Sequence, residues 1–130
     1  MSESLQEKSN KRILVLANND VGLYRFRKDL LASLLCAGHE VYISLPNGGF
    51  VSELVRLGCH FVDTPIDRRG MNPLHDSKLF RQYRAILKEV KPDLVLTYTI
   101  KPNIYGGLAC RIANIPYAVN ITGLGSAIEN

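Results

Sequence analysis

Short, continuous apolar runs alternate with longer amphipathic segments along most of this chain. Five of the runs have the length and apolar character of buried strands, at residues 12–17, 40–45, 59–63, 93–97 and 116–120. Between them lie four segments with apolar side chains at helical spacing, at residues 23–37, 50–57, 76–90 and 104–113. Parallel strands joined by helices require right-handed crossovers. The pattern therefore predicts an α/β fold, with an open parallel β-sheet and helices on both faces.

One domain is enough to account for the chain. Of its 130 residues 46% are apolar, which is ample for a single core. The polar residues 1–10 lack the apolar core of a secretory signal, and we expect them to be disordered, with one domain over 11–130. No apolar run approaches the roughly 18 residues of a membrane span. The predicted location is cytoplasmic.

Charge and cysteine content exclude several classes of protein. A net charge of +4 is too small to indicate a nucleic-acid partner, and none is predicted. Cys36, Cys59 and Cys110 stand far apart, with no spacing typical of a metal site or a disulfide framework. We interpret them as reduced core residues. The histidines are too scattered for a metal site or a catalytic triad, so neither a metal nor a cofactor is predicted.

Ligands of an open parallel sheet bind at the carboxyl ends of its strands, so the loops after the predicted strands are candidate sites. The first such loop carries Asn18, Asn19, Asp20 and Gly22, and Arg25 lies on the helix that follows. Its glycine permits close approach of the backbone, and its arginine suits an anion or sugar hydroxyls. A helix cap and a turn alone are the alternative interpretation. Neither a dinucleotide fingerprint nor a P-loop is present.

Polar side chains also follow the third and fourth predicted strands. Arg68 and Arg69 fall in the loop at residues 64–75, and adjacent guanidinium groups can clamp a phosphate or diphosphate. A solvated charge run is the alternative. Tyr98 and Lys101 lie in the loop at residues 98–103, where polar side chains at a strand's carboxyl end predict ligand contact.

Two glycines spaced by two residues follow the fifth predicted strand. Thr122 and Gly123 open the segment Thr-Gly-Leu-Gly-Ser, whose backbone suits a phosphate or a sugar. A turn alone is the alternative here. Gly106 and Gly107, in the preceding helix, are interpreted as sites of close helix packing rather than of ligand contact.

Seven segments together resemble a family of sugar transferases. They are NDVGLYRFR (19–27), AGHEV (37–41), LGC (57–59), DRRGMNP (67–73), KPDLV (91–95), TIKPNIYGG (99–107) and ITGLGS (121–126). The set resembles the N-terminal Rossmann-like half of a family 4 glycosyltransferase with the GT-B fold. It is most similar to the bacterial members that build capsular or O-antigen polysaccharide and lipid-linked oligosaccharides.

This resemblance implies the acceptor side of a retaining glycosyltransferase. Such enzymes move a sugar from a nucleotide-sugar to a saccharide, often one linked to polyprenyl diphosphate. The residues implied for the acceptor or cleft wall are Asn18, Asn19, Asp20, Gly22, Arg25, Arg68, Arg69, Tyr98, Lys101, Thr122 and Gly123. No residue is assigned a catalytic role.

In this family the C-terminal half grips the nucleotide-sugar and carries a pair of glutamates. The chain stops at Asn130 without that pair, so we expect an acceptor-side domain that is incomplete at its C-terminus and inactive alone. Apolar surface left at such a boundary predicts self-association.

Three other interpretations keep the same fold. A phosphoacceptor receiver domain is disfavoured, because the acidic pair expected after the first strand is mostly amide and Asn120 stands near where a lysine is expected. Half of a sugar-nucleotide 2-epimerase would need a carboxylate and histidine set that is not identifiable. A non-catalytic acceptor or scaffold subunit, working with a separate donor-binding chain, stays open.

The predicted helix at residues 76–90 has a strongly cationic outer face. Leu79, Phe80, Tyr83, Ile86, Leu87 and Val90 form its apolar side, and the other side carries Lys78, Arg81, Arg84, Lys88 and Lys91. Basic side chains are attracted to an anionic leaflet. The pattern predicts peripheral contact with the inner face of the plasma membrane, and a solvated outer face is the alternative.

Overall fold

The computed structural model describes residues 10–66 and 72–120. Five parallel strands form one sheet in the order β3-β2-β1-β4-β5. The strands are β1 (Arg12–Leu16), β2 (Glu40–Leu45), β3 (His60–Asp63), β4 (Leu94–Tyr98) and β5 (Tyr117–Asn120). The helices are α1 (Asp20–Cys36), α2 (Val51–Leu57), α3 (Pro73–Val90) and α4 (Gly107–Ala113), with a π-helical turn (Pro102–Gly106) leading into α4. The predicted α/β fold is confirmed.

The core lies on both faces of the sheet. Leu14 and Leu16 of β1 pack with buried residues of α3 and α4, whereas Val15 packs with buried residues of α1 and α2. Successive strand residues point to opposite faces. Because β1 is central and covered on both sides, its apolar run is continuous rather than alternating.

Two helices begin earlier than the sequence pattern predicts. Helix α1 starts at Asp20 rather than at residue 23, because the Asn19 side chain caps it. Helix α3 starts at Pro73, and Asn72 rather than Asp76 is its N-cap. An asparagine cap followed by proline at the first position is a favoured helix start. The predicted loop at 64–75 is therefore shorter, and Asp76 lies inside the helix.

The predicted loop at residues 98–103 is also wrong in part. Tyr98 ends β4, and helical structure is already present at residues 100 and 101. A Cβ atom on Gly106 would overlap Leu16 Cδ1, and one on Gly107 would lie 3.2 Å from Tyr117 Cε2. Both glycines therefore allow close packing of the helix, which confirms that interpretation.

Some residues predicted to be core are exposed. Phe26 is 75% exposed and Leu30 is 39% exposed, although both belong to the apolar stripe of α1. Leu23 and Leu31 are the members of this stripe that are buried in the core. Cys36, at the last turn of α1, is exposed as well, so the prediction of a core position is wrong for this cysteine.

Of the predicted disordered segment 1–10, only Asn10 falls within the described residues.

Candidate functional site

The order of the strands reverses next to β1, and this places a crevice at one edge of the sheet. β2 and β3 extend from one side of β1, whereas β4 and β5 extend from the other side. Ligands of open α/β sheets bind at such a switch point, outside the carboxyl ends of the strands. The register pairs Leu16 with Thr97, so Asn18 and Thr99 follow at the neighbouring ends of β1 and β4.

The loop after β1 is held by its own amides. Asn19 Nδ2 donates to Asn18 Oδ1 at 2.8 Å, and Asn19 Oδ1 accepts from the Gly22 backbone N–H at 2.7 Å. The Gly22 N–H is thus occupied in capping α1. Both asparagines remain half-buried at the edge of the crevice.

Asp20 ties this loop to the loop after β2. It is 7% exposed, and its Oδ2 atom accepts from the Phe50 backbone N–H at 2.6 Å. A Cβ atom on Gly48 would overlap the Asp20 carboxylate, so glycine is required there for the approach. The carboxylate therefore positions the β2 loop, and the ring of Phe50 stacks on Tyr24 with centroids 5.0 Å apart.

Tyr98 lies under an arginine that sequence reasoning missed. The Arg27 guanidinium lies 5.0 Å from the centroid of the Tyr98 ring, and Tyr98 itself is 5% exposed. Burial raises the pKa of Tyr98, and Arg27 partly offsets that effect. The available signal was spacing: Arg27 falls between Leu23 and Leu31 on the buried side of α1.

Thr99 has a backbone conformation that is rare for its residue type. Its φ is 72°, in the left-handed region, and its hydroxyl donates to the Tyr98 carbonyl oxygen. A β-branched residue in this region is strained, and such strain is common at functional sites. The position at the switch-point end of β4 makes Thr99 a site residue that the sequence pattern did not single out.

A polar ring joins the carboxyl ends of β4 and β5. Thr97 Oγ1 donates to Asn103 Oδ1 at 2.7 Å, and Asn103 Nδ2 donates to the Asn120 carbonyl oxygen at 3.0 Å. Asn120 Nδ2 donates to the Thr97 carbonyl oxygen at 3.3 Å. Asn103 therefore fixes the end of β5 relative to β4, immediately before the segment at 121–126.

A second polar cluster links α3 to the segment after β4. Lys101 Nζ lies 2.9 Å from Asp76 Oδ1, and Tyr105 Oη donates to Asp76 Oδ2 at 3.0 Å. The bond to Asp76 raises the pKa of Tyr105. Asp76, missed as a site residue, therefore compensates much of the charge of Lys101 at this edge.

A cavity of about 260 Å³ lies beside the carboxyl end of β3. It is lined by Pro65, Ile66, His75, Lys78 and Gln82, which combine an apolar wall with cationic and amide groups.

Of the residues predicted for acceptor contact, only those near β1 and β4 are brought together at the described edge. Arg25 is exposed on α1.

Four predicted site residues lie outside the described residues: Arg68, Arg69, Thr122 and Gly123. Within residues 10–66 and 72–120, no group of three His, Cys, Asp or Glu side chains is placed to hold a metal ion. In the same ranges, no helix is both long enough and apolar enough to cross a bilayer.

The fold and the polar carboxyl edge of the sheet together define the class of protein. It is a Rossmann-like α/β domain, of the type found in GT-B glycosyltransferases, with its polar groups gathered at the switch point. The family described as "Glycosyl transferase 4-like" matches residues 12–129. Because this match spans nearly the whole chain, the protein belongs to that family.

Individual relatives agree with the family. A Campylobacter jejuni protein, N,N'-diacetylbacillosaminyl-diphospho-undecaprenol alpha-1,3-N-acetylgalactosaminyltransferase, is 29% identical over 116 residues, which is 88% of this chain and 31% of that protein. A glycosyltransferase structure from Rickettsia africae matches with a TM-score of 0.70 at 20% identity, over 85% of this chain and 29% of the other. The structure of MurG from Acinetobacter baumannii matches with a TM-score of 0.62 at 20% identity, over 85% of this chain and 35% of the other.

At 20% sequence identity, the similarity to these two solved structures shows the fold of this chain and nothing more. The chain spans only about a third of the length of each of these relatives. The resemblance inferred from the sequence motifs is confirmed for the family and for the fold.

Proposed function

We propose that this chain is the acceptor side of a retaining glycosyltransferase in cell-surface polysaccharide synthesis of the capsule or O-antigen type. It binds a saccharide linked to polyprenyl diphosphate at the inner face of the plasma membrane, and a nucleotide-sugar supplies the sugar. The observation that carries the proposal is the polar edge at the switch point, where Asn18, Thr99 and the Lys101–Asp76 pair are pre-positioned. The Campylobacter relative, named for a diphospho-undecaprenol substrate, supports this acceptor class.

The amides at the end of β1 suit the sugar of the acceptor. Asn18 and Asn19 bond to each other, yet each side chain keeps further hydrogen-bonding capacity for sugar hydroxyls. Asp20 instead positions the β2 loop through Phe50.

The diphosphate of the acceptor calls for cations and backbone N–H groups. Arg25, Arg68 and Arg69 supply guanidinium groups, which match phosphate oxygens bidentately. Thr122 supplies a hydroxyl, and Gly123 has no side chain to hinder a ligand from reaching the backbone. Lys101 acts mainly by position, because Asp76 already holds its ammonium.

Transfer breaks the bond between the anomeric carbon and the nucleoside diphosphate, which leaves with the bonding electrons. A new bond forms to the acceptor oxygen, and the proton of that hydroxyl passes to the released diphosphate. Both substrates must be held in near-attack geometry for this step. We assign this chain the acceptor alone, and assign donor binding to a part of the enzyme that these 130 residues do not contain. The 130-residue chain alone is then inactive.

Acceptor binding tests the proposal directly. The probe is a short-chain prenyl diphosphate carrying an N-acetylated sugar, titrated into the purified chain by calorimetry. We expect saturable binding that Arg25→Ala weakens about tenfold, since one charge-assisted contact is lost. Arg56→Ala is the matched control, because Arg56 is exposed on α2, away from the switch point, and should leave affinity unchanged.

Three results would each contradict a part of the proposal. Equal affinity of the Arg25→Ala variant and the control for the probe would remove Arg25 from the acceptor site, and no binding by the unmodified chain would remove the acceptor role altogether. Sustained product formation from nucleotide-sugars and the same probe by these 130 residues would contradict the division between acceptor and donor parts.

A further inference from the structure

The guanidinium group of Arg27 lies at the carboxyl edge of the sheet, on the face that α1 and α2 cover. It stands 5.0 Å from the centroid of the Tyr98 ring, and Tyr98 is the last residue of β4. Tyr98 packs in one core cluster with Leu23 of α1 and with Ala17, which directly follows β1. Arg27 therefore borders the crevice between the ends of β1 and β4.

The end of β5 lies beside the ring that supports Arg27. The register pairs Tyr98 with Asn120, the last residue of β5, and the side chains of paired residues point to the same face of a sheet. The segment at 121–126, whose glycines and hydroxyls suit a phosphate or a sugar, follows Asn120 in the sequence. Arg27 thus places a cation close to the strand end from which that segment continues.

The positive charge of Arg27 has no anionic partner in the part of the chain that the structure describes. Among residues 10–66 and 72–120, no carboxylate forms an ion pair with its guanidinium, and no oxygen accepts a hydrogen bond from it. The side chain is nevertheless half-buried. A partly shielded cation costs free energy unless its charge is compensated, and the face of one ring compensates only part of it. An anion from outside these residues would complete the compensation.

Arg12 shows how an arginine with a structural role is held in this fold. It also lies near a tyrosine ring, 5.8 Å from the centroid of Tyr42. Its Nε atom donates to Glu40 at 2.7 Å, and its Nη1 atom donates to the Val90 carbonyl oxygen at 2.8 Å. These bonds lie at the amino ends of the strands, which is the edge opposite to the crevice. Arg12 uses its donors within the fold, whereas Arg27 at the crevice does not.

The Tyr98 ring supports the Arg27 guanidinium without occupying its donors. A ring face attracts the cation but accepts none of the five N–H groups that lie in the guanidinium plane. Tyr98 is only 5% exposed and is held in β4, so the support is rigid. A guanidinium fixed in this way is preorganised for an anion that offers two oxygens side by side.

We propose that Arg27 binds a diphosphate group at the crevice, and that Tyr98 is the positioning residue that holds its guanidinium in place. Phosphate oxygens match the guanidinium fork bidentately. The choice of diphosphate rests on the proposed function, because both substrates of such a transfer carry this group. It belongs to the prenyl chain in the acceptor and to the nucleoside in the donor. The anion site itself can be tested without any sugar.

A purely structural role for Arg27 makes a different prediction. If its side chain only shields Tyr98 from water, the aliphatic stem does this work and the charge is incidental. Arg27→Met keeps a long apolar side chain over the ring and removes the charge together with the N–H donors. This variant should then leave anion binding unchanged under the structural role and weaken it under the binding role.

Titration with inorganic pyrophosphate at low salt, followed by calorimetry, tests the binding role. We expect saturable binding that Arg27→Met weakens about tenfold or more, because charge-assisted hydrogen bonds are lost. Arg27→Lys should weaken it about threefold, since a point charge replaces the planar fork. Circular dichroism and urea denaturation check that each variant is folded.

Lys28 supplies the matched control. Its Nζ atom also lies 5.0 Å from the centroid of a tyrosine ring, that of Tyr24, but it is exposed and Tyr24 stacks on Phe50. Lys28→Met changes the net charge from +4 to +3, as Arg27→Met does. It should leave the affinity for pyrophosphate within about twofold, because a charge at a distance is screened. Equal affinities of the two variants, or no binding by the unmodified chain, would overturn the proposal.

Variants of Tyr98 test its positioning role. Tyr98→Leu removes the ring under the guanidinium and should weaken pyrophosphate binding about threefold, although Arg27 is still present. Tyr98→Phe retains the ring and should recover most of that loss. If Tyr98→Phe binds no better than a folded Tyr98→Leu variant, the ring is not the support of Arg27.

Two further ligands identify the source of the diphosphate. Geranyl diphosphate presents the group on a prenyl chain, as in the acceptor, and uridine diphosphate presents it on a nucleoside, as in the donor. The loss of affinity in Arg27→Met is measured for each. The ligand with the larger loss shows which substrate Arg27 contacts, and equal losses indicate that it binds either diphosphate. No loss for both ligands would overturn the proposal.

The same variant separates this site from the proposed function. If pyrophosphate binds through Arg27 and the sugar-bearing prenyl diphosphate does not bind at all, the anion site stands and the acceptor role fails. If the sugar-bearing probe binds and Arg27→Met leaves its affinity unchanged, the acceptor role stands and Arg27 has no part in it.

Protection from arginine modification gives an independent measurement. Phenylglyoxal reacts with guanidinium groups, and mass spectrometry of peptides reports its reaction with Arg27 and with Arg56 separately. Pyrophosphate at several times its Kd should slow the modification of Arg27 at least about threefold, because bound ligand covers the group. Arg56, whose side chain is 76% exposed on α2, should react at the same rate with and without it. An unchanged rate at Arg27 would overturn a direct contact with the anion.

Discussion

The side-chain nitrogen of Lys101 lies 2.9 Å from a carboxylate oxygen of Asp76. The pair joins the segment after β4 to the first turn of α3, and its side chains are only 14% and 9% exposed. A charge shielded from water is costly unless its partner is in place. Asp76 therefore determines where Lys101 holds its ammonium at the carboxyl edge of the sheet.

Breaking this pair from one side should destabilise the fold. Asp76→Asn removes the carboxylate that lies 2.9 Å from the shielded Lys101 ammonium, and we expect a loss of about 3 kcal/mol in the free energy of unfolding. The double variant Asp76→Asn/Lys101→Met should recover at least half of that loss, because no shielded charge remains. Urea denaturation measures both values.

The surface pair Arg56–Glu53 is the control for this prediction. It spans 3.5 Å with largely exposed side chains, so Glu53→Gln should cost less than about 0.5 kcal/mol. If Asp76→Asn costs no more than Glu53→Gln, the Lys101–Asp76 pair does not stabilise the fold.

Removing the hydroxyl should have opposite effects on the free energy of unfolding at Tyr83 and at Tyr105. Tyr83 Oη is fully buried and has no hydrogen-bond partner within the part of the chain that the structure describes. Tyr105 Oη donates to Asp76. Tyr83→Phe should therefore raise the free energy of unfolding by up to about 1 kcal/mol, whereas Tyr105→Phe should lower it by about 1 kcal/mol. Thermal and urea unfolding of the two variants give the comparison, and destabilisation by Tyr83→Phe would reveal a partner for its hydroxyl.

The sheet could be predicted from sequence because hydrophobic period and strand length are local signals. The apolar run at β1 is continuous, and only a central parallel strand buries both faces. Helix starts were harder to predict. Asn19 and Asn72 were recognisable as capping residues, yet Asp76 offered an equally good local cap, and only packing against Lys101 shows that it serves another purpose.

The candidate site was predictable in position rather than in detail. Strand order places the end of β1 beside the end of β4, and the sequence pattern pointed to both loops. The contact of the Arg27 guanidinium with the Tyr98 ring depends on how α1 is rotated about its axis against the sheet. The spacing of apolar residues in α1 is consistent with this rotation but does not predict the contact. The polar ring of Thr97, Asn103 and Asn120 depends on hydrogen bonds between residues far apart in sequence, for which a single sequence carries no local signal.

The cysteines should differ in reactivity according to burial. Burial raises the pKa of both Cys59 and Cys110 to about 11, whereas Cys36 is exposed. Because the thiolate is the reactive form, only Cys36 should be modified quickly by a thiol reagent near pH 8. Cys36→Ser should abolish that fast phase. A second fast thiol in the folded variant would contradict the buried positions.

The same shifts have a consequence for stability at high pH. In the unfolded chain these two thiols ionise at their ordinary pKa, and in the folded protein they stay protonated up to about pH 11. Above the ordinary pKa the unfolded state binds fewer protons than the folded state, so stability falls as pH rises from there to about 11. The variant Cys59→Ala/Cys110→Ala should show a smaller decline across this window in urea titrations, and an equal decline would exclude the thiols as its cause.

Replacing the strained Thr99 at the crevice should change both the stability of the fold and the binding of the acceptor probe, and Lys91→Gly is the control that distinguishes the two effects. Thr99 and Lys91 both have left-handed backbones, with φ of 72° and 53°, but Lys91 caps the far end of α3. Glycine adopts this conformation without strain, so Thr99→Gly and Lys91→Gly should each raise the free energy of unfolding by up to about 1 kcal/mol. Because Thr99 lies at the switch point, its replacement should also weaken binding of the prenyl-diphosphate probe about threefold, through loss of a fixed backbone. Calorimetry of the two variants decides the point. If Lys91→Gly and Thr99→Gly bind the probe equally well, the strain at Thr99 belongs to the turn after β4 and has no part in holding an acceptor.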